Sequence, residues 1–522
     1  MTDPIFAHGT DHGTPTLDLG QNTTPGGVTV PLAPVYTAPI DALRGLRVLV
    51  LNWRDVRHSQ AGGAELYMHQ IARRWVAAGM VVTWMTAWEP GAARREVIDG
   101  IEVRRAGGPL GVYVRTAVRL LRTGRRFDIV VDCQNGIPFF SPVFTGWAVP
   151  TVQVVHHVHQ DQFTTRFSPP MAALGRFLER RAARGVYRDR PIAAVSASTR
   201  QELRRRLGFR GPIFIVPNGT IDVPALPGPR NPDPTVVVVS RMVVHKRIDL
   251  LVRHVAAAAA RLPQLRVEIV GDGPALPALR RLVTELGVDG VVTFHGRQSD
   301  VVRDELLRCA WLTVSLSDAE GWGCSVIEAA AWGVPCLARD AVGIRDSVVD
   351  TSTGWLVGPD EDFAAALVAR LRELADDEHA AQISATCQAW ARHFSWDRAA
   401  ALLAGVLVHE IGAGAALRDG PIQRRTARSD AYTVARFAAL SGVDSRTLLR
   451  VTDEVHLDGD RVTALLGGCD EFDALEVLTR RGIRDPEVRP ALRGDLLAGP
   501  RHSFPGVAPS RGSALGAAGE NR

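Results

Sequence analysis

Lysine is almost missing from this sequence. Of its 61 basic residues one is lysine, Lys246, and the rest are arginine. A bias of this kind follows from a GC-rich genome that replaces lysine by arginine wherever chemistry allows. A surviving lysine then marks a position that a guanidinium cannot serve, because ammonium is a compact point charge and guanidinium a wide planar fork. Long apolar runs are missing too. No uninterrupted stretch approaches the ~18 residues of a spanning helix, which excludes a helical integral membrane protein. The first 39 residues are rich in Gly, Pro and Thr and lack the basic start and apolar core of a secretory signal. The six cysteines (Cys133, Cys309, Cys324, Cys336, Cys387, Cys469) are scattered, with no C-x-x-C pair. Their pattern points to a reducing cytoplasm and away from a zinc site.

What is present is an ordinary globular composition: 522 residues, 46% hydrophobic, 22% charged, net charge +5. At ~150 residues per domain there is room for two to three domains. From Leu46 strands alternate with helices. Short apolar strands fit residues 47–51, 81–86, 128–132, 151–155 and 192–196, with helices between them. Residues 224–234 carry five prolines and read as a linker. The alternation then restarts, with strands at 236–240, 266–270, 291–294, 312–315 and 334–338. Such alternation implies parallel sheets covered on both faces, hence two doubly wound α/β domains with a ligand cleft at the carboxyl ends of their strands. The division expected is a disordered segment 1–42, a first Rossmann-like domain 43–223, the linker 224–234, a second domain 235–394, and a crossover helix 395–411. An extension 412–522 follows, loop-like at first, mostly helical in its middle and disordered at its tail.

The second domain concentrates the chemistry. Arg241 ends its first strand and Lys246 follows five residues later, two cations suited to a diphosphate. Gly271-Asp272-Gly273 forms a turn where backbone can approach a ligand. Glu320-Gly321-Trp322-Gly323-Cys324-Ser325 then leads into a helix bearing Glu328. Free amides at a helix start, with its dipole, form an anion site, and a carboxylate one turn on can hold a ribose diol. Ser325-x-x-Glu328 is equally a plain capping box. The glycines, Glu320 and the Arg241/Lys246 pair favour the ligand reading.

These motifs together resemble the retaining glycosyltransferases of family 4, which have the GT-B fold. Gly62-Gly63-Ala64-Glu65, Val195-Ser196 with Thr199-Arg200, and Pro217-Asn218-Gly219 come in the family's order. So do Arg241, Lys246, Gly271-Asp272-Gly273, Glu320-x7-Glu328, Gly333-Val334-Pro335, Gly354-Trp355-Leu356-Val357 and Phe394-Ser395-Trp396. The likeness spans roughly residues 45–410. Arg247 departs from the small residue usual after the lysine, and Ala341-Val342-Gly343 lacks the usual double glycine.

The resemblance implies transfer of a sugar from a nucleotide-diphosphate sugar to an acceptor hydroxyl with retention of configuration, in cell-envelope polysaccharide or glycolipid synthesis. It implies no cofactor beyond that substrate and no metal. Arg241, Lys246 and the amides of Gly323, Cys324 and Ser325 would stabilise the leaving diphosphate. Gly63 and Gly271 would let backbone approach the donor, Glu328 would hold the ribose, and Glu320 the donor sugar. His156 is the family's functional histidine at a strand end, with His159 and Asn135 toward the acceptor. An epimerase on the same scaffold is the nearest rival; a phosphorylase would need a cofactor lysine, and the only lysine is already assigned.

Two further readings concern partners. Residues 434–450 imitate a helix-turn-helix, but acidic neighbours (Asp453, Glu454, Asp458, Asp460) speak against nucleic acid, and a packing or partner-binding appendage is favoured. Residues 113–126 carry Arg115, Arg119, Arg122, Arg125 and Arg126 beside Val114, Val118 and Leu121 at helical spacing, and residues 176–190 are also arginine-rich. Either an apolar stripe belonging to the core or peripheral contact with the inner face of the plasma membrane, where a lipid-linked acceptor lies, accounts for this pattern.

Overall fold

The computed structural model describes residues 40–146, 149–188, 190–225, 228–419, 432–439, 449, 453–467, 471–484 and 486–490. The N-terminal segment before Ile40 and the C-terminal tail lie outside these residues. The chain forms two compact units, the larger reaching Gly414 and the smaller beginning at Ala415.

The first half of the larger unit is built on eight strands: β1 (Arg47–Leu51), β2 (Val81–Thr86), β3 (Arg95–Ile98), β4 (Ile101–Arg105), β5 (Ile129–Gln134), β6 (Thr151–Val155), β7 (Ile192–Ala194) and β8 (Ile213–Ile215). Their order is β3-β4-β2-β1-β5-β6-β7-β8, parallel except for the antiparallel β3/β4 pair. β1 is apolar from Val48 and β5 through Val131, and β5 is buried along its whole length, because both faces are covered by helices and alternation is absent. Three of the eight strands were not expected. β3 and β4 form a hairpin whose turn, Asp99-Gly100, has φ of 48° and 79°. Asp-Gly between alternating residues is a hairpin signal, outweighed here by the charged Arg-Glu-Val-Ile and Ile-Glu-Val-Arg-Arg strands.

The second half carries β9 (Thr235–Val239), β10 (Arg266–Val270), β11 (Val292–Gly296), β12 (Thr313–Ser315), β13 (Cys336–Arg339) and β14 (Gly354–Val357). Two parallel ladders, β11-β10-β9 and β12-β13-β14, meet where Val237 N–H donates to Leu312 O at 3.0 Å. Their shared core runs from Val236 and Ile269 to Leu337, Leu367 and Leu371. The helix Trp396–Asp419 returns to the first domain. Trp75 Nε1 donates to Ala400 O at 3.2 Å, and Arg190 pairs with Glu410 in a buried salt bridge. A Cβ at Gly219 would stand 2.5 Å from Trp396, so only glycine admits this crossing. The helix also extends through residues 412–419, expected to be loop-like.

The smaller unit corrects the sequence reading. Its described residues are mostly strand rather than mostly helix: β15 (Tyr432–Ala438), β16 (Glu454–Asp458), β17 (Arg461–Gly467) and β18 (Glu487–Pro490) in the antiparallel order β16-β17-β15-β18, with one helix, Glu471–Arg480. Residues 434–438, the start of the imitated helix-turn-helix, form a strand paired with β17 throughout and with β18 as far as Arg436; residues 440–448 lie outside the described ones. Ala and Arg favour helices locally, but cross-strand pairing and burial of Val434, Phe437, Val462 and Leu466 override that preference.

Candidate functional site

The carboxyl ends of both sheets carry the expected residues, and the two halves of the larger unit meet along this edge. Gly63 opens the helix Gly63–Ala77. The Glu65 carboxylate folds back to accept from Gly62 N–H at 2.8 Å and pairs with Arg54 at 3.0 Å, closing the helix start. Opposite stands the helix Cys324–Ala331, capped by Gly323 at φ 93°. A Cβ at Gly63 would lie 3.9 Å from Cys324 Sγ, so two helix N-termini face each other. Asn218 Nδ2 donates to Cys324 Sγ at 3.2 Å. Burial, then Glu328 and Glu320, pushes the Cys324 thiol up to about 12. Two positive dipole ends directed at one space form a ready anion site.

The capping-box reading fails here. Gly323 is the cap, so Ser325 is already the second helical residue and Glu328 the fifth, and no side chain caps this helix. The Glu328 carboxylate accepts no hydrogen bond among the described residues. Burial pushes its pKa up to about 7 against the opposing pull of Arg303. Arg303, on the helix Asp300–Arg308 and held by Asp300 at 2.9 Å and Asp304 at 2.8 Å, was missed in the sequence. It reads there as part of an ordinary polar helix face.

Lys246 ends a short turn, Val244–Lys246, anchored where Asp318 N–H donates to His245 O at 3.0 Å. Its ammonium pairs with the Glu320 carboxylate, which also accepts from Ser317 Oγ at 2.7 Å. Burial alone would raise Glu320, but Lys246, with Ser317 and His245, holds the carboxyl below its usual value. Arg241 is exposed and free of ion pairs among the described residues. At Gly271 (φ 134°) a Cβ would stand 1.9 Å from Ser240 O, so the turn beside Arg241 requires glycine. Arg247, unusual after this lysine, holds a left-handed φ of 52° and is tied to Asp249 and Asp318. A glycine adopts that φ without strain. At Gly343 a Cβ would stand 2.1 Å from Glu320 O, so this one glycine is indispensable although its usual companion is missing.

From the first domain His156 is buried at the end of β6, its ring edge-on to Tyr67 with centroids 4.9 Å apart. Nε2 is buried and makes no hydrogen bond among the described residues. Burial, then His157 and His159, pushes this imidazole down to about 3, so it is neutral at physiological pH. Thr199 Oγ1 lies 3.1 Å from His156 O and 3.3 Å from Gly321 O, joining the two domains. A second link runs from Ser198 N–H to Asp346 Oδ2 at 3.0 Å. Tyr67 and Asp346 are contributors that no spacing in the sequence revealed; Thr199 stood in a motif there, but only folding gives it this place.

His159 lies one turn further. Its N–H donates to Glu179 Oε1 at 2.7 Å, and its ring stacks on His157 at 3.8 Å. Burial pushes Glu179 up to about 7. Asn135 Nδ2 donates to Asn52 Oδ1 at 2.5 Å, and a Cβ at neighbouring Gly136 would lie 3.8 Å from the His159 ring. Asn135 and His159 therefore share one wall, beside His156.

Gly321 sets the closure of the cleft. A Cβ there would stand 2.3 Å from His156 O. Gly321→Ala is expected to hold the cleft open: turnover falls about a hundredfold, as for an ~1 Å misplacement, while the melting temperature is unchanged. Small-angle scattering checks it; an unchanged radius of gyration with full turnover would refute the role of Gly321.

A model of glycosyltransferase family 4 matches residues 61–223, and one of glycosyl transferases group 1 matches residues 225–390. The chain belongs to glycosyltransferase family 4. Among relatives of this family 4 protein, a GDP-mannose-dependent alpha-(1-6)-phosphatidylinositol monomannoside mannosyltransferase of Mycolicibacterium smegmatis is 34% identical over 187 residues. That stretch is 33% of this chain and 47% of that protein. A D-inositol 3-phosphate glycosyltransferase of Nocardia farcinica is 34% identical over 228 residues, 40% of this chain and 50% of that protein. The chain thus spans about half the length of these relatives. Sucrose-phosphate synthase from Thermosynechococcus elongatus superposes with a TM-score of 0.57 over 70% of this chain and 99% of that one, at 21% identity. At that identity the likeness is one of fold, the GT-B arrangement of two Rossmann-like domains. The smaller C-terminal unit lies outside both family models.

Proposed function

We propose that this family 4 protein transfers a sugar from a nucleoside-diphosphate sugar to an acceptor hydroxyl with retention of configuration, the acceptor being a glycolipid or envelope polysaccharide. The observation that carries this reading is the convergence in one cleft of the Cys324 helix start, the Lys246–Glu320 pair and His156 Nε2, which has no hydrogen-bond partner among the described residues. As the bond to the leaving diphosphate breaks, negative charge grows on its phosphates. Lys246, Arg241 and the amides of Cys324 and Ser325 neutralise it. Glu328 accepts from the ribose hydroxyls, Glu320 positions the donor sugar, and Gly63 and Gly271 leave room for backbone contact with the donor. Neutral His156 offers one ring nitrogen to the donor sugar or acceptor, with Asn135 and His159 on the acceptor side.

The relatives' names make GDP-mannose the first donor to test. A screen of nucleotide sugars, read as nucleotide release with and without a phosphatidylinositol-type acceptor, tests the proposal. Release that accelerates with acceptor supports transfer. Sugar epimerisation with no acceptor dependence would replace it by the epimerase reading.

The acceptor's setting is the cytoplasmic face of the membrane. No helix among the described residues is long and apolar enough to cross it. The helix Gly111–Thr123 turns Leu110 and Val114 (each 68% exposed), Val118 (46%) and Leu121 (68%) outward, beside exposed Arg115, Arg122, Arg125 and Arg126. This stripe is therefore not core. A second exposed stripe, Phe167, Met171, Leu174 and Phe177, lies along the helix Pro169–Phe177 and is followed by exposed Arg180, Arg181 and Arg184. Apolar side chains inserting between headgroups, with ~1 kcal/mol per arginine near an anionic leaflet, give loose peripheral attachment. Val114→Asp with Leu121→Asp is expected to weaken co-sedimentation with anionic vesicles by about a hundredfold or more, since burying each apolar side chain is worth roughly 1.5–3 kcal/mol. Equal, negligible sedimentation of the unaltered protein with anionic and neutral vesicles would count against membrane attachment.

A further inference from the structure

A second concentration of positive charge lies away from the donor cleft. Arg94, Arg95, Arg104, Arg105, Arg115 and Arg119 line an open cavity between the β3/β4 hairpin and the helix Gly111–Thr123. No acidic residue lines it. The hairpin register places Arg95 directly opposite Arg104, a like-charge pair that destabilises a sheet. Two of the six are neutralised from behind. Arg105 is buried and bonded to Asp55 at 2.6 and 2.9 Å and to Glu96 at 2.9 Å. Arg104 is bonded to Glu102 at 2.6 and 2.7 Å.

The other four have no ion pair among the described residues. Arg94 lies over the Trp88 ring at 3.9 Å, and Arg95 and Arg115 are exposed. Arg119 is half-buried, and its Nε is buried with no hydrogen-bond partner among the described residues. Burial, then the fields of Arg104 and Arg95, disfavours its charged form. The Glu102 carboxylate is shared among Arg95, Arg104 and Arg119. Such a set repels itself until a counter-charge enters, and guanidinium forks match phosphate oxygens in pairs.

We propose that this cavity binds a phosphate ester group, at a site separate from the donor cleft. It lies at the ends of β2 and β4, on the same edge as His156 at the end of β6. None of Gly63, Arg241, Lys246, Gly271, Cys324 and Glu328 lines it. A phosphate held by these arginines is therefore bound by other groups than those assigned to the donor's leaving diphosphate. Its source is either a lipid headgroup, which the exposed Leu110–Leu121 stripe on the same helix favours, or a soluble phosphorylated compound.

The test uses the full chain and its Arg95→Gln/Arg119→Gln variant. Binding of inorganic pyrophosphate is measured by calorimetry in a Lys246→Ala background, which weakens the donor cleft. Sedimentation with phosphatidylcholine vesicles, with and without phosphatidic acid, is measured in parallel. The expected result is a loss of about tenfold or more in one or both arms, the size of two charge-assisted contacts. Loss confined to vesicles identifies a lipid phosphate, and loss of pyrophosphate binding identifies a soluble one. Without anion the variant should melt no lower than the parent, because like charges have been removed. Unchanged binding in both arms, or a lower melting temperature with Arg115→Gln also binding normally, would overturn the proposal.

Discussion

Lys246→Ala is expected to lower kcat/KM by about 10²–10³-fold, the usual loss when one donor to a developing anion is removed. The ammonium sits between two roles. It neutralises the leaving diphosphate and holds Glu320 ionised for the donor sugar, so alanine removes one role and disturbs the other. Without it, burial raises the Glu320 carboxyl toward or above its ordinary value, since Lys246 is the main influence holding it down. The variant should therefore lose activity more steeply than the parent as pH falls. Lys246→Arg separates charge from shape. The guanidinium keeps the charge but must fit its fork beside Glu320 and Ser317, and a substantial loss is expected. Full activity in the arginine variant would show that the lone lysine carries no such constraint. Melting curves of both variants check that the fold is intact.

Glu328→Gln should weaken nucleotide binding itself by about 10–100-fold, the effect of losing charge-assisted hydrogen bonds. The sign with pH is informative. With its pKa pushed up to about 7, Glu328 is protonated below neutrality and loses the charge that makes it a strong acceptor for both hydroxyls of a diol. Affinity of the parent for nucleoside diphosphate should rise on the order of tenfold per unit between pH 5 and 7, then level off. The glutamine variant should show no such rise. For folding stability the sign is opposite. A carboxyl raised in the folded state destabilises it progressively from its unfolded value of ~4.3 up to pH 7 and by the full amount above. The glutamine variant should thus melt no lower than the parent at pH 8. Calorimetric titration across pH decides it; tight, pH-matched binding by the variant would remove Glu328 from the ribose.

Much of this was legible in the chain itself, for a definite reason. Strand residues such as Val-Leu-Val-Leu51 and Val-Val-Val-Val239 are apolar on both faces, and only a covered parallel sheet buries both. Glycines at Gly271, Gly323 and Gly343 hold backbone angles or approaches that other residues cannot, so the loops they shape leave a fixed spacing in the sequence. Lys246 stood out because its replacement was suppressed. The smaller unit was misread because local propensity is weak: alanine and arginine suit a helix until a neighbouring strand offers a ladder.

The sequence by itself determined the family, the two-sheet architecture and the loops that form the donor side, because these depend on contacts within one strand–loop–helix unit. The tertiary structure alone decided what faces what. It set Gly63 against Cys324, Tyr67 beside His156, Arg303 beside Glu328 and Asp346 against Ser198. It also chose the helix cap that frees Glu328, turned the Val114–Leu121 stripe to solvent and gathered arginines from a hairpin and a helix around one cavity. Burial and electrostatic fields depend on distances between segments far apart along the chain, and no local pattern carries those distances.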